Sequence, residues 1–124
     1  MKQFIIILFC LSVGCIATTH YLTENEDKAT IRMSKEDIVI INVKTNPSTG
    51  YGWELDYDES ILEIIKDEIQ GNNNKQGIVG SSSTRSIQFH PKQNGKCVIT
   101  MKYQRPWSQH KTPLILLSYT ITVN

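Results

Sequence analysis

"CVITMKY", Cys97 to Tyr103, alternates its side chains: Cys97, Ile99, Met101 and Tyr103 fall on one face, Val98, Thr100 and Lys102 on the other. A period of two belongs to a half-buried β-strand, whose successive side chains point to opposite sides of a sheet. Downstream, Leu114 to Val123 repeats the pattern with Ile115, Leu117, Tyr119, Ile121 and Val123 on one face. Upstream, His90 to Lys96 supplies a turn through Asn94-Gly95, and Thr84 to Phe89 directs Ile87 and Phe89 inward. The run Ile61 to Ile69 is short and β-branched, Trp53 to Tyr57 is strand-like, and Val39, Ile41 and Val43 share a face within Asp37 to Val43. Ala29 to Met33 reads as a weak first strand. About seven short strands without a convincing helix predict an all-β chain, an immunoglobulin-like β-sandwich.

The start of the chain has a different character. Lys2 precedes a mostly apolar run, Phe4 to Val13, followed by small residues and Cys15-Ile16-Ala17. This succession predicts a signal peptide over residues 1–17, cut after Ala17, and passage into the secretory pathway. The apolar run falls short of the ~20 residues that span a bilayer, and no later stretch is long and apolar enough, so the processed protein is expected to be free of the membrane. Removing residues 1–17 from the 124-residue chain leaves 107, one small domain over residues 18–124, expected to be a monomer. With Lys2 gone, 12 basic residues balance 12 acidic ones, which argues against a nucleic-acid partner. All acidic residues lie between Glu24 and Glu68, whereas Lys75 onward carries only basic ones.

Cys10 and Cys15 fall in the signal peptide, so Cys97 stands alone in the processed chain and no internal disulfide is expected. Its apolar strand face makes it a small core residue rather than a nucleophile. His20, His90 and His110 show no metal-chelating spacing and read as solvated histidines. Asp56, Asp58 and Glu59 lack the length and glycine pattern of a calcium loop. There is no HExxH, CxxC, GxSxG or phosphate-binding glycine loop, so neither an enzyme nor a cofactor is expected.

Three loops are unusual. In Asn46-Pro-Ser-Thr-Gly-Tyr51, proline fixes its own φ and pushes Asn46 toward an extended conformation, while Gly50 can turn the chain. Its tip presents Ser48, Thr49 and Tyr51. The stretch Gln70 to Ser83 ends in Gly80-Ser81-Ser82-Ser83, a tip almost without bulk. Gln104 to Pro113 is stiffened by Pro106 and Pro113 and carries Arg105 and Trp107, residue types common among binding hot spots.

"NPSTGY" at Asn46 to Tyr51, "GSSS" at Gly80 to Ser83 and "RPW" at Arg105 to Trp107, in this order and spacing, resemble the three loop motifs of the chagasin family, protein inhibitors of papain-type cysteine peptidases. The family pattern reads NPTTGY or NPTTGF, then GxGG, then RPW or RPF. The first and third motifs match closely; in the second, Ser82 and Ser83 replace two glycines.

The resemblance implies a wedge of three loops at one end of the sandwich that enters the cleft of a cathepsin L-like peptidase. Asn46 to Tyr51 would be the central loop, facing the enzyme's catalytic Cys and His. Ser48 and Thr49 would offer hydroxyls there, and Pro47 and Gly50 would hold the tip in its bound shape. Trp107, directed by Arg105 and Pro106, would stack on the primed side. Gly80, Ser81, Ser82 and Ser83 would lie along the non-primed side in the manner of an added strand. Inhibition would be reversible occlusion, and the protein would be secreted or held in a lysosome-like compartment. The alternative to an inhibitor is a secreted immunoglobulin-like adhesion or ligand-binding module that uses the same loops for another partner.

Overall fold

The computed structural model describes residues 16–71, 83–107 and 112–124. Among them are eight strands: β1 (Thr19–Leu22), β2 (Thr30–Met33), β3 (Ile38–Thr45), β4 (Gly52–Asp56), β5 (Leu62–Gln70), β6 (Ser83–Pro91), β7 (Gly95–Gln104) and β8 (Ile115–Val123). They form two four-stranded sheets, β1-β3-β6-β5 (sheet A) and β2-β8-β7-β4 (sheet B). Two short 3₁₀ turns, Glu24–Glu26 and Pro47–Thr49, are the helical elements among the described residues.

Alternation dictates the packing. Cys97, Ile99 and Met101 on β7 sit opposite Ile121, Tyr119 and Leu117 on β8, and all six are buried. On the other sheet, Val39 and Ile41 of β3 face Phe89 and Ile87 of β6, all fully buried. These two inner faces form one core, whose removal of apolar surface from water is the main stabilising contribution. Tyr119 is the largest fully buried side chain, and its hydroxyl donates to the Thr23 carbonyl at 2.7 Å. Burial pushes that phenol up to about 12, so it stays a donor.

The sandwich anticipated from alternation is present, with one strand more than the seven counted. Ala29 to Met33, read as the first strand, is the second. β1 precedes it and pairs in parallel with β3, Thr19 opposite Ile38 through Leu22 opposite Ile41. Only Leu22 of β1 is buried, so the segment shows little alternation to read. The run from Ile61 is a strand, β5, with a bulge between Ile64 and Lys66 that interrupts its period. The Asn94-Gly95 turn joins β6 to β7; Gly95 has φ +151°, and a β-carbon there would lie 2.9 Å from Ile61 Cδ1.

Cys97 is a buried thiol, as its strand face suggested. It accepts the Asp58 amide at 3.3 Å, and burial raises its pKa, which keeps it protonated. His20 departs from the solvated reading: its ring is half-buried, with Nε2 3.1 Å from Asp37 Oδ2. His90 is partly exposed and lies 3.4 Å from Glu63; His110 is outside the described residues.

Candidate functional site

Register places the three loops at one end. Thr45, the last residue of β3, pairs with Ser83, the first of β6, and Thr84 pairs with Gln70 at the end of β5. Gly52 at the start of β4 pairs with Gln104 at the end of β7. The β3–β4, β5–β6 and β7–β8 connections therefore all leave the same edge of the sandwich. Of the Gly80–Ser83 motif, Ser83 is described and half-buried; Gly80, Ser81 and Ser82 lie outside the described residues.

The Asn46–Tyr51 loop carries the chain from sheet A to sheet B. Asn46 is extended (φ −133°, ψ 85°), the conformation that a following proline favours. Pro47 opens a single 3₁₀ turn closed by Thr49 N–H to Asn46 O and Gly50 N–H to Pro47 O, each 3.1 Å. Gly50 then takes φ +80°, ψ −3°, which a side chain would resist.

Both hydroxyl protons of the tip are used within the loop. Ser48 Oγ donates to Asn46 Oδ1 at 2.7 Å, and Thr49 Oγ1 donates to the Asn46 carbonyl at 2.7 Å. Thr49 Oγ1 also accepts the Tyr51 amide at 3.4 Å. Ser48 and Thr49 are exposed and so present lone pairs outward while their protons shape the turn.

Beneath the tip lies an aromatic platform. Tyr51 stacks on Tyr103 with ring centroids 5.4 Å apart, and Trp53 lies against the same ring at 4.9 Å. The Tyr103 hydroxyl accepts the Asn46 amide at 3.1 Å, fixing the start of the loop to sheet B. Trp53 is buried, as its position at the head of a strand suggested, and its indole donates to the Lys44 carbonyl at 2.9 Å.

The β7–β8 loop leans on the central one. Arg105 lies over the Tyr51 ring at 4.7 Å and over Trp107 at 5.9 Å, two cation–π contacts. Trp107 is 69% exposed, yet its ring edge closes on Gly50. Pro106 is exposed beside it, and the loop is closed at its base by Leu114 N–H to Tyr103 O at 2.9 Å. The structure thus brings Asn46, Pro47, Ser48, Thr49, Gly50, Tyr51, Arg105, Pro106 and Trp107 into one surface. Reading along the chain missed Tyr103 as support for the loop, because alternation assigns it only to the core; its hydroxyl partner lies 57 residues away.

The model of the chagasin family of peptidase inhibitors, I42, matches residues 32–123. Amoebiasin-2 of Entamoeba histolytica is 40% identical over 124 residues, covering 99% of both chains. The crystal structure of the cysteine protease inhibitor EhICP2 from Entamoeba histolytica superposes with a TM-score of 0.83 at 38% identity, covering 90% of this chain and 100% of that one. PbICP-C, solved in complex with falcipain-2, shares the fold at 19% identity and a TM-score of 0.53, covering 86% of this chain and 90% of that one.

Proposed function

The chain belongs to the chagasin family of peptidase inhibitors, and from that membership we propose that it blocks papain-type cysteine peptidases by filling the active-site cleft with the loop end of its sandwich. It is an inhibitor, not an enzyme. The observation that carries the mode of action is the contact of Trp107 with Gly50, which joins two loops from different connections into one surface before any partner arrives. A surface ordered in advance loses little conformational entropy on binding. Pro47 to Gly50 forms the leading point and Trp107 and Arg105 one flank, and the Gly80, Ser81, Ser82 and Ser83 motif adds peptidase contacts of its own. The Ser48 and Thr49 oxygens face donors at the catalytic dyad, and no peptide bond of the inhibitor is cleaved.

Titration against papain and a cathepsin L-type peptidase tests this. Activity should fall stoichiometrically and return on dissociation, with the inhibitor recovered intact. Undiminished activity at excess inhibitor, or recovery of an inhibitor cut within Asn46 to Tyr51, overturns it.

The protein enters the secretory pathway, loses residues 1–17 and works outside the cell or in a lysosome-like compartment. Support comes from the apolar run behind Lys2 and from Thr18, whose backbone nitrogen donates to Asp37 Oδ1 at 3.0 Å one residue before β1. A cut after Ala17 makes that nitrogen an ammonium facing a carboxylate. Mass spectrometry of the native protein should find Thr18 at its amino terminus; recovery as full-length cytosolic protein overturns the reading.

A further inference from the structure

Arg85 occupies a position where an apolar side chain would be expected. On β6 it is two residues before the fully buried Ile87, and its register partner on β3 is the buried Val43. A charge at the margin of a core persists only with its donors satisfied. Asp67 on β5 meets two of them: Arg85 Nε to Oδ1 at 2.9 Å and Nη2 to Oδ2 at 2.7 Å. This fork holds the guanidinium plane in one orientation and lowers the pKa of Asp67, chiefly through the hydrogen bonds from Arg85.

The third contact crosses the sandwich. Arg85 Nη1 donates to the Trp53 carbonyl on β4 at 2.8 Å. β4 is an edge strand of sheet B. What the guanidinium adds is a fixed distance between sheets. Trp53 returns the connection: its indole N–H donates to the Lys44 carbonyl on β3. Lys44 and Trp53 each stand two residues outside the Asn46–Tyr51 loop. Both of its stems are therefore tied together, once through the indole and once through Arg85.

We propose that Arg85, oriented by Asp67, is a positioning residue for inhibition: it sets the separation of the two stems and so the attitude of the Pro47–Gly50 tip toward the peptidase. The inference rests on the inhibitor reading. Arg85 lies below the tip, and its effect is carried through Trp53.

The test uses the full-chain protein with three variants, Arg85→Lys, Asp67→Asn and the double variant, and papain as the probe enzyme. Lysine keeps the charge but is a single-point donor that cannot hold Asp67 in a fork and reach the Trp53 carbonyl together. Arg85→Lys should raise the inhibition constant about tenfold while the protein remains folded. Asp67→Asn should raise it less, and the double variant should be no worse than Arg85→Lys alone, because Asp67 acts through Arg85. NMR should show the Trp53 indole N–H and the Gly50 amide shifted in Arg85→Lys, with faster exchange of the indole proton.

Lys66→Gln, which removes an exposed ion pair with Glu68 on the same strand, is the control and should change neither readout. Folded Arg85→Lys protein with an unchanged inhibition constant, or an equal rise in Lys66→Gln, overturns the proposal. If the unaltered protein does not inhibit papain, the inhibitor reading fails on its own. The NMR shifts then decide the positioning claim, and their absence overturns it. Should Arg85→Lys not fold, the same two readouts on Asp67→Asn decide the matter in the same way.

Discussion

Trp107 packs on Gly50 so closely that a β-carbon at position 50 would stand 2.8 Å from its Cη2 atom. A glycine here serves two purposes: it admits φ +80°, and it leaves room for an indole from a different loop. Gly50→Ala should therefore do more harm to inhibition than to stability. The left-handed conformation costs alanine about 1 kcal/mol, a fall in melting temperature of roughly 4–8 °C for a domain of this size. The exposed indole must also swing away, which should raise the inhibition constant at least about tenfold. Thermal melts alongside a peptidase titration check this, and an unchanged inhibition constant would contradict it.

Trp107→Ala separates binding from folding more cleanly. An indole 69% exposed contributes little to the folded state, so the melting curve should move by no more than about 0.5 kcal/mol. If the ring becomes an anchor in the complex, its loss should weaken inhibition by roughly 2 kcal/mol, about 30-fold. Equal affinity of variant and parent would remove Trp107 from the interface.

Cys97→Ala should do the opposite. The thiol is buried, and its removal leaves a small cavity and an unpartnered Asp58 amide, a cost on the order of 1 kcal/mol. Inhibition should be intact. Native protein should react slowly with iodoacetamide at neutral pH, since burial holds the thiol above its ordinary pKa. Rapid native-state alkylation would place the thiol at the surface.

Asp37 predicts a pH dependence. Its buried carboxylate accepts from Thr18 N at 3.0 Å, Ser34 N at 3.0 Å and Ser34 Oγ at 3.0 Å, with His20 Nε2 at 3.1 Å. The backbone donors Thr18 and Ser34 lead in holding its pKa well below the usual carboxylate range. A depressed folded-state value means stability that is fully present above the unfolded-state pKa of roughly 3.9 and is lost as pH falls below it. The contribution thus persists in a mildly acidic vesicle. Asp37→Asn should lower the melting temperature at neutral pH and flatten its fall in acid. An acid limb as steep as that of the parent would exclude Asp37 as its source.

Sheet interiors were legible wherever alternation was undisturbed, as in Cys97–Tyr103, because burial on one face imposes a period of two on the chain itself. β1 escaped because an edge strand with a single buried residue has no period to impose. The backbone of the Asn46–Tyr51 loop was legible too, since Pro47 and Gly50 act on φ and ψ locally. What the loop does with its hydroxyl protons was not: both turn back to Asn46, bonds that residue order alone does not announce. Arg85 was invisible for a different reason. Its meaning lies in Trp53, 32 residues away on the facing sheet, and nothing in its neighbours along the chain announces that contact.

β8 lies between β2 and β7, and this order has a consequence for biosynthesis. β2 ends at Met33 and its neighbour β8 begins at Ile115, a gap that a ribosome takes on the order of 4 to 16 seconds to cross. Throughout that interval β2 lacks its strand partner, and β7, already able to pair with β4, has one free edge. Sheet B is thus completed late, when β8 slots between β2 and the β4–β7 pair and Met33 O receives the Asn124 amide at 3.0 Å. A nascent chain halted before Ile115 therefore lacks the strand that joins β2 to the rest of sheet B.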